Sequence, residues 1–331
     1  MKHNYDLIAI GDCTMDAFIR LHDASVHCDL HHERCQLCMS FATKIPYETL
    51  NVVPAVGNSS NVAVGIARLG LRSAIMTAVG DDYYGKQILD VYKREGVSRE
   101  FVKVNKGKET NYHFVLNFRA ERTILIKHHE YEYYDPKAID NVGWIYFSSM
   151  GENTLPFHKK LARHLINHPK IKMGFNPGTF QLQLGRKKLK DIYERTYVLF
   201  VNREEAGQIL ETKDNNLEAL CKGLHRLGPK IIVITDGPKG SYASDGASRY
   251  FMPSYPDPAP PFSRTGAGDA FSTGFMAALI YGLPVPEALQ WAPINSMNVV
   301  RFTGAQKGLL TKSELMKFLK KAPKSYKPKK I

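Results

Sequence analysis

Short apolar runs alternate with helix-period patterns along most of this 331-residue chain, and that alternation limits the folds open to it. Strand-like runs fall at 7–10, 74–79, 144–147, 171–175, 198–201 and 231–235. Helical patterns follow several of them, at 60–69, 85–95, 204–210, 217–227 and 268–281. Parallel strands need a long crossover, and a helix is the usual one. The expectation is an α/β fold with a central, mostly parallel sheet flanked by helices. Two stretches break the rhythm: 20–56, which carries a Cys/His cluster, and 110–127, which reads as a hairpin. No G-x-G-x-x-G follows the first strand and no G-x-x-x-x-G-K-[ST] occurs, which excludes the dinucleotide and Walker-type phosphate loops.

The run Arg264-Thr265-Gly266-Ala267-Gly268-Asp269-Ala270-Phe271 opens one of these helices. Bare backbone at Gly266, Ala267 and Gly268 can approach a ligand, and a helix N-terminus offers unpaired N–H groups to an anion. Asp269 falls in the first turn, beside that anion. An acid there suits a hydroxyl that loses its proton while attacking phosphorus. The alternative is a glycine-rich turn whose acid complements the helix dipole.

Five motifs, in order along the chain, resemble those of the ribokinase-like (phosphofructokinase-B) carbohydrate kinases. The run above is similar to D-T-x-G-A-G-D. Val56-Gly57-Asn58-Ser59-Ser60-Asn61-Val62-Ala63 with Ala67-Arg68-Leu69-Gly70 resembles G-G-x-x-x-N-x-A…A-R-L-G. Gly80-Asp81-Asp82 with Gly85 is similar to G-x-D-x-x-G, Asn202-Arg203-Glu204-Glu205 to N-x-x-E, and Thr235-Asp236-Gly237-Pro238-Lys239-Gly240 to T-x-G-x-x-G.

The resemblance implies an ATP-dependent kinase acting on a hydroxyl of a small sugar, ribose or a hexose such as fructose, or else of a nucleoside such as adenosine. Asp269 is then the base, with Gly266, Ala267 and Gly268 as the anion hole. Asp16, with Asp12 as a second candidate, accepts hydrogen bonds from substrate hydroxyls beside Gly57, Asn58 and Asn61. Asn202 faces the nucleotide phosphates and Glu205 holds the water shell of Mg²⁺, although Asn and Glu at this spacing also make a capping box. Thr235, Gly237 and Gly240 touch the nucleotide, and Asn295 borders the adenine. The resemblance also implies a small β lid from 20–56 and 110–127, over a core of 1–19, 57–109 and 128–316, and a homodimer through the lid. The chain departs from the pattern at Val56, where the family has glycine, and at Ser263-Arg264, where it often has Asp-Thr. That acid helps bind a monovalent cation in many members, so K⁺ dependence is expected to be weak or absent. A non-catalytic nucleotide or nucleic-acid binder is the competing class, but a pure binder has no need of Asp269.

Net charge is +13, and residues 317–331 hold seven lysines without an acid, more than half of it. Such a tail can attract nucleic acid, but it reads first as a solvated, poorly ordered end. No apolar run reaches the ~18 residues of a membrane span, and the run at 7–10 is too short for a signal-peptide core, so a cytoplasmic enzyme is expected. Disulfides are not expected there. Cys28, Cys35 and Cys38 lie among His27, His31 and His32, and three thiolates with one imidazole could hold structural Zn²⁺. Free thiols are the alternative.

Overall fold

The computed structural model describes residues 4–29, 35–119, 121–258, 260 and 262–331. Its strands are β1 (Tyr5–Ile10), β2 (Thr14–Leu21), β3 (Ser25–Cys28), β4 (Cys35–Cys38), β5 (Tyr47–Val56), β6 (Ser73–Gly80), β7 (Ser98–Asn105), β8 (Tyr112–Phe118), β9 (Glu121–Leu125), β10 (Val142–Phe147), β11 (Lys172–Phe175), β12 (Val198–Asn202), β13 (Ile231–Thr235), β14 (Ser241–Ser244), β15 (Arg249–Met252) and β16 (Lys329–Lys330). Its helices are α1 (Asn58–Arg68), α2 (Tyr83–Arg94), α3 (Leu155–Asn167), α4 (Thr179–Lys188), α5 (Lys190–Arg195), α6 (Arg203–Leu210), α7 (Leu217–His225), α8 (Ala267–Ile280), α9 (Val285–Val299) and α10 (Lys312–Lys321).

Among the described residues a ten-stranded sheet runs in the order β16-β15-β14-β13-β12-β11-β10-β1-β6-β7. Pairing is parallel from β13 through β7, and antiparallel at the β14–β16 edge. Side chains alternate across a strand, so each central strand feeds two cores. Leu7 and Ala9 of β1 join one buried cluster with α1, α2, α8 and α9. Ile8 and Ile10 join the other with α3, α5, α6 and α7. Each leucine or isoleucine so buried stabilises by about 1.5–3 kcal/mol. This two-sided burial is why the strands read as unbroken apolar runs.

A second sheet, β5-β2-β8-β9, forms the lid. Its β2 starts at Thr14, so the lid takes in residues that the sequence assigns to the core, Asp16 among them. β3 and β4 form a separate hairpin whose register sets Cys28 opposite Cys35. Those two are disulfide-bonded. This corrects both the zinc set and the free-thiol reading of Cys28 and Cys35: the ladder brings the two sulfurs together, and a disulfide offers no thiolate to a metal. Cys38 is a free thiol. His31 and His32 lie outside the described residues.

The lysines of the C-terminal end are exposed, as expected, but the expectation of poor order is corrected. This end forms part of α10 and then β16, which pairs with β15. Tyr326 anchors it. The ring is buried against Tyr255, and its hydroxyl donates to the Gln290 carbonyl at 2.6 Å. The lysines lie around this buried anchor.

Candidate active site

The carboxyl ends of five parallel strands converge under the lid, where open α/β sheets bind ligands. Asp12 follows β1, Ser149 follows β10, Asn176 follows β11, Asn202 ends β12 and Thr235 ends β13. All five line one cavity of about 450 Å³. A second cavity of about 440 Å³ lies beyond it, between the β13 turn and α9. The two share Thr235, Arg264 and Gly268, so they meet at the N-terminus of α8.

That N-terminus is built by Gly266, which takes φ 80° as the residue preceding α8. A side chain there would be strained, and its Cβ would sit 2.3 Å from that of Ala305. Gly268 differs: a Cβ added to it would meet nothing within 4 Å, so it faces open cavity rather than protein. No side chain caps this helix end. The Ala267 N–H turns back to the Arg264 carbonyl at 3.4 Å, which leaves Gly268 and Asp269 as the better-aimed donors.

Asp269 lines the first cavity from the first turn of α8, where the two cavities meet, and is 8% exposed. Burial pushes its carboxyl up to about 6, with a smaller push from Glu205; Asn61 and Arg122 act against the rise. Asn61 Nδ2 donates to Asp269 Oδ2 at 2.7 Å. Gln306 Nε2 in turn donates to Asn61 Oδ1 at 3.1 Å and to the Ala55 carbonyl at 2.6 Å. This chain fixes the amide so that its N–H, not its carbonyl, meets the carboxylate. It also holds Ala55 at φ 60°, an uncommon conformation for a residue with a side chain. Sequence reading gave Asn61 to the substrate; here its amide is spent on orienting the Asp269 carboxylate.

On the lid side, Asp16 and His113 face each other across the β2–β8 pairing. Burial pushes Asp16 up to about 6, opposed by the Thr14 hydroxyl, which donates at 2.5 Å. Burial and neighbouring His128 push His113 down to about 4. Its ring, 3.7 Å from Asp16, is therefore neutral and makes no ion pair there at neutral pH. His113 Nε2 is a buried atom with no hydrogen-bond partner.

Asp12 is committed to the protein. Tyr133 donates to its Oδ1 at 2.5 Å, the Gly151 N–H to its Oδ2 at 2.8 Å, and His128 Nδ1 lies 3.1 Å from that same oxygen. Gly57 precedes α1 at φ 112°, where a Cβ would sit 2.6 Å from the Asp12 carbonyl. Asn58 is free of capping duty, since Gly57 holds the cap position. Its Nδ2 reaches Asn176 Oδ1 only at 3.4 Å. Val56 ends β5 and lines the wall.

At the far side, Asn202 and Glu205 form the capping box of α6. Glu205 N–H donates to Asn202 Oδ1, and Asn202 N–H to Glu205 Oε2, each at 2.8 Å. Both also line the first cavity. Burial raises the Glu205 carboxyl, the Asn202 N–H opposes this, and Glu204 adds to it. Thr235, Gly237 and Gly240 line the second cavity together. Asn295 does not. It is wholly buried, its Nδ2 donates to the Ala270 carbonyl at 2.8 Å, and its Oδ1 accepts from Leu310 N–H at 3.1 Å. Its adenine-bordering role is thus corrected: the amide ties α8 to the segment after α9, and Ser296, Met297 and Val300 line the cleft instead.

Three features escaped the sequence reading: His113, Arg122 and the Phe180 ring all line the first cavity. His113 could have been found only from the register of β2 against β8.

Residues 48–312 match the pfkB family carbohydrate kinase pattern. The chain is 28% identical over 272 residues to the ribokinase of Bacillus subtilis (strain 168), covering 80% of this chain and 87% of that protein. It is 25% identical over 267 residues to a nucleoside kinase of Methanothermobacter thermautotrophicus, covering 79% and 83%. The fold superposes on the nucleoside kinase of Methanocaldococcus jannaschii with a TM-score of 0.78 at 18% identity, over 97% of this chain and 100% of that one. It superposes on the Arabidopsis thaliana ribokinase complexed with ribose and ATP with a TM-score of 0.77 at 18% identity, over 97% and 99%. With a matched segment that covers well over half of the chain and takes in Asp269 and the α8 N-terminus, the chain belongs to the pfkB family of carbohydrate kinases.

Proposed function

We propose that the protein transfers the γ-phosphoryl group of ATP to a hydroxyl of a small sugar, ribose or a hexose such as fructose. The observation that carries this is the meeting of two cavities at one uncapped helix N-terminus, with a buried carboxylate in its first turn facing the first of them. The sugar lies under the lid, and the nucleotide lies in the cleft of Thr235, Gly237 and Gly240. Asp16 accepts from sugar hydroxyls, and His113 Nε2 and Asn58 complete their hydrogen bonds. The reacting hydroxyl points at Asp269. As its oxygen bonds to the γ-phosphorus, the bond to the β-phosphate oxygen breaks, ADP leaves, and the proton passes to Asp269. The N–H groups of Gly268 and Asp269, with Arg264, receive the charge on the transferred group.

The acids of this cavity also fit Mg²⁺, which favours oxygen ligands and keeps several waters. Bound with ATP, Mg²⁺ would neutralise phosphate charge. Glu205 would hold it through water, using the carboxylate oxygen that the capping box leaves over. The lid keeps bulk water from the phosphoryl group.

A nucleoside is the second reading. Phe180, Leu182, Ile124 and Ile126 form an apolar flank of the first cavity that a base could cover. On the outer lid face, Leu50, Val52, Phe114 and Leu125 share one side and are each about half exposed, which supports pairing of two lids in a homodimer. The reading has the enzyme in the cytoplasm, where ATP is, with the Cys28–Cys35 disulfide as the feature that runs against that placement. ADP release measured with a panel of sugars and nucleosides tests it. A sugar is expected to give the highest kcat/KM. A nucleoside preferred over every sugar would replace the first reading with the second.

A further inference from the structure

Away from both cavities, His164 sits in the last turn of α3, His168 is the residue that ends that helix, and Asp140 lies on the turn that enters β10. The chain leaves the helix at His168 with its ring folded back over His164. The two rings stack with centroids 4.2 Å apart. Asp140 Oδ1 lies 4.0 Å from His164 Nε2 and 3.8 Å from His168 Nε2. One ligating atom from each of the three lies within 4.8 Å of the other two. Neither distance to Asp140 is a hydrogen bond.

Two further observations point to a ligand. His168 Nδ1 sits 2.8 Å from the His164 carbonyl oxygen. A carbonyl only accepts, so this nitrogen carries the proton, and Nε2 turns a lone pair toward Asp140. A backbone carbonyl on the remote nitrogen is also the usual support of a metal-bound imidazole. His164, only 5% exposed, has its Nε2 buried with no hydrogen-bond partner. Such an atom is costly unless something satisfies it.

We propose that Asp140, His164 and His168 form a transition-metal site for a zinc-like divalent cation, tying the end of α3 to the turn before β10. Two imidazoles with one carboxylate suit Zn²⁺, whereas Mg²⁺ and Ca²⁺ favour oxygen shells. Metal–ligand bonds of about 2.0–2.2 Å at a tetrahedral centre set ligand atoms about 3.3 Å apart. The two separations from Asp140 therefore need to close by less than about 1 Å, and the widest of the three, which is within 4.8 Å, by about 1.5 Å at most. A water completes the four ligands. None of these residues lines either cavity, so the site does not depend on the kinase reading.

The test is calorimetric titration of the full chain with Zn²⁺ in saturating Mg²⁺, on a Cys38→Ser background so that the free thiol does not compete. One zinc per chain is expected, with a rise in melting temperature. His168→Ala and Asp140→Asn are each expected to weaken binding at least ~10-fold and to cancel that rise. Both change exposed residues, and both are expected to leave sugar-dependent ADP release within about twofold of the parent. Zinc binding of unchanged strength in both variants, or no zinc binding by the parent, overturns the proposal.

Discussion

Replacing Asp269 by asparagine should make the protein more stable and nearly inactive. Asparagine is a neutral isostere whose carbonyl can still accept from Asn61. Burial holds the Asp269 carboxyl at about 6, above its ordinary 3.8. Between those values the folded state binds more protons than the unfolded state. The stability this contributes is complete below the unfolded value and is lost as pH rises through about 6. The gap corresponds to roughly 3 kcal/mol above pH 7. For a chain of this length that is roughly 4 °C in Tm. Asp269→Asn is therefore expected to raise Tm by about that much at pH 8 and by roughly half as much at pH 5, where the folded carboxyl carries its proton but the unfolded one is still largely ionised. Turnover should fall at least ~10²-fold, the usual contribution of a general base. Calorimetric scans at the two pH values, with ADP-release rates, check both halves. A Tm unchanged at pH 8, or an equal gain at both pH values, would refute the buried-charge reasoning. Turnover within a few-fold of the parent would refute the assignment of the base.

Asp16→Ala should raise the sugar KM strongly and leave ATP binding nearly intact, since hydrogen bonds to a charged group contribute about 1.5–3 kcal/mol each; equal losses for both ligands would point to misfolding instead. Because Asp16 and Asp269 both sit at about 6, kcat/KM should fall as pH drops below 6, and a flat acid limb would count against both roles. Asn61→Leu removes the donor that favours charged Asp269, so the acid limb should move to higher pH; an unmoved limb with only a slower rate would show that the amide does not tune the base. Exchanging K⁺ for a large organic cation at constant ionic strength should alter activity little, given Ser263-Arg264 where the family often has an acid; many-fold activation by K⁺ would show that other oxygens rebuild the cation site.

The central sheet was legible because burial on both faces leaves unbroken apolar runs such as 198–201 and 231–235. The α8 N-terminus was legible because Gly266, required by a positive φ, stands next to Gly268 and Asp269. What pairs with what was not legible. The β2–β8 register brings His113 to Asp16, and β3 against β4 brings Cys28 to Cys35, yet neither register leaves a local pattern in the sequence. Asn295 shows the converse limit. Its place near the cleft could be guessed, but not that Ala270 and Leu310 would use both ends of its amide. The lysine-rich end read as disordered because charge dominates its composition; its lysines are indeed exposed, but buried Tyr326 and the pairing of β16 with β15 hold the backbone in place.

The central claim is that a phosphoryl group crosses from the nucleotide cavity to a hydroxyl under the lid with Asp269 as base. Incubating the protein with γ-labelled ATP, Mg²⁺ and each sugar, and following the label, tests it most directly. The account predicts label on a sugar hydroxyl, in step with ADP release, and loss of both in Asp269→Asn. Label appearing only as inorganic phosphate with every sugar and nucleoside, at a rate that Asp269→Asn does not change, would contradict it.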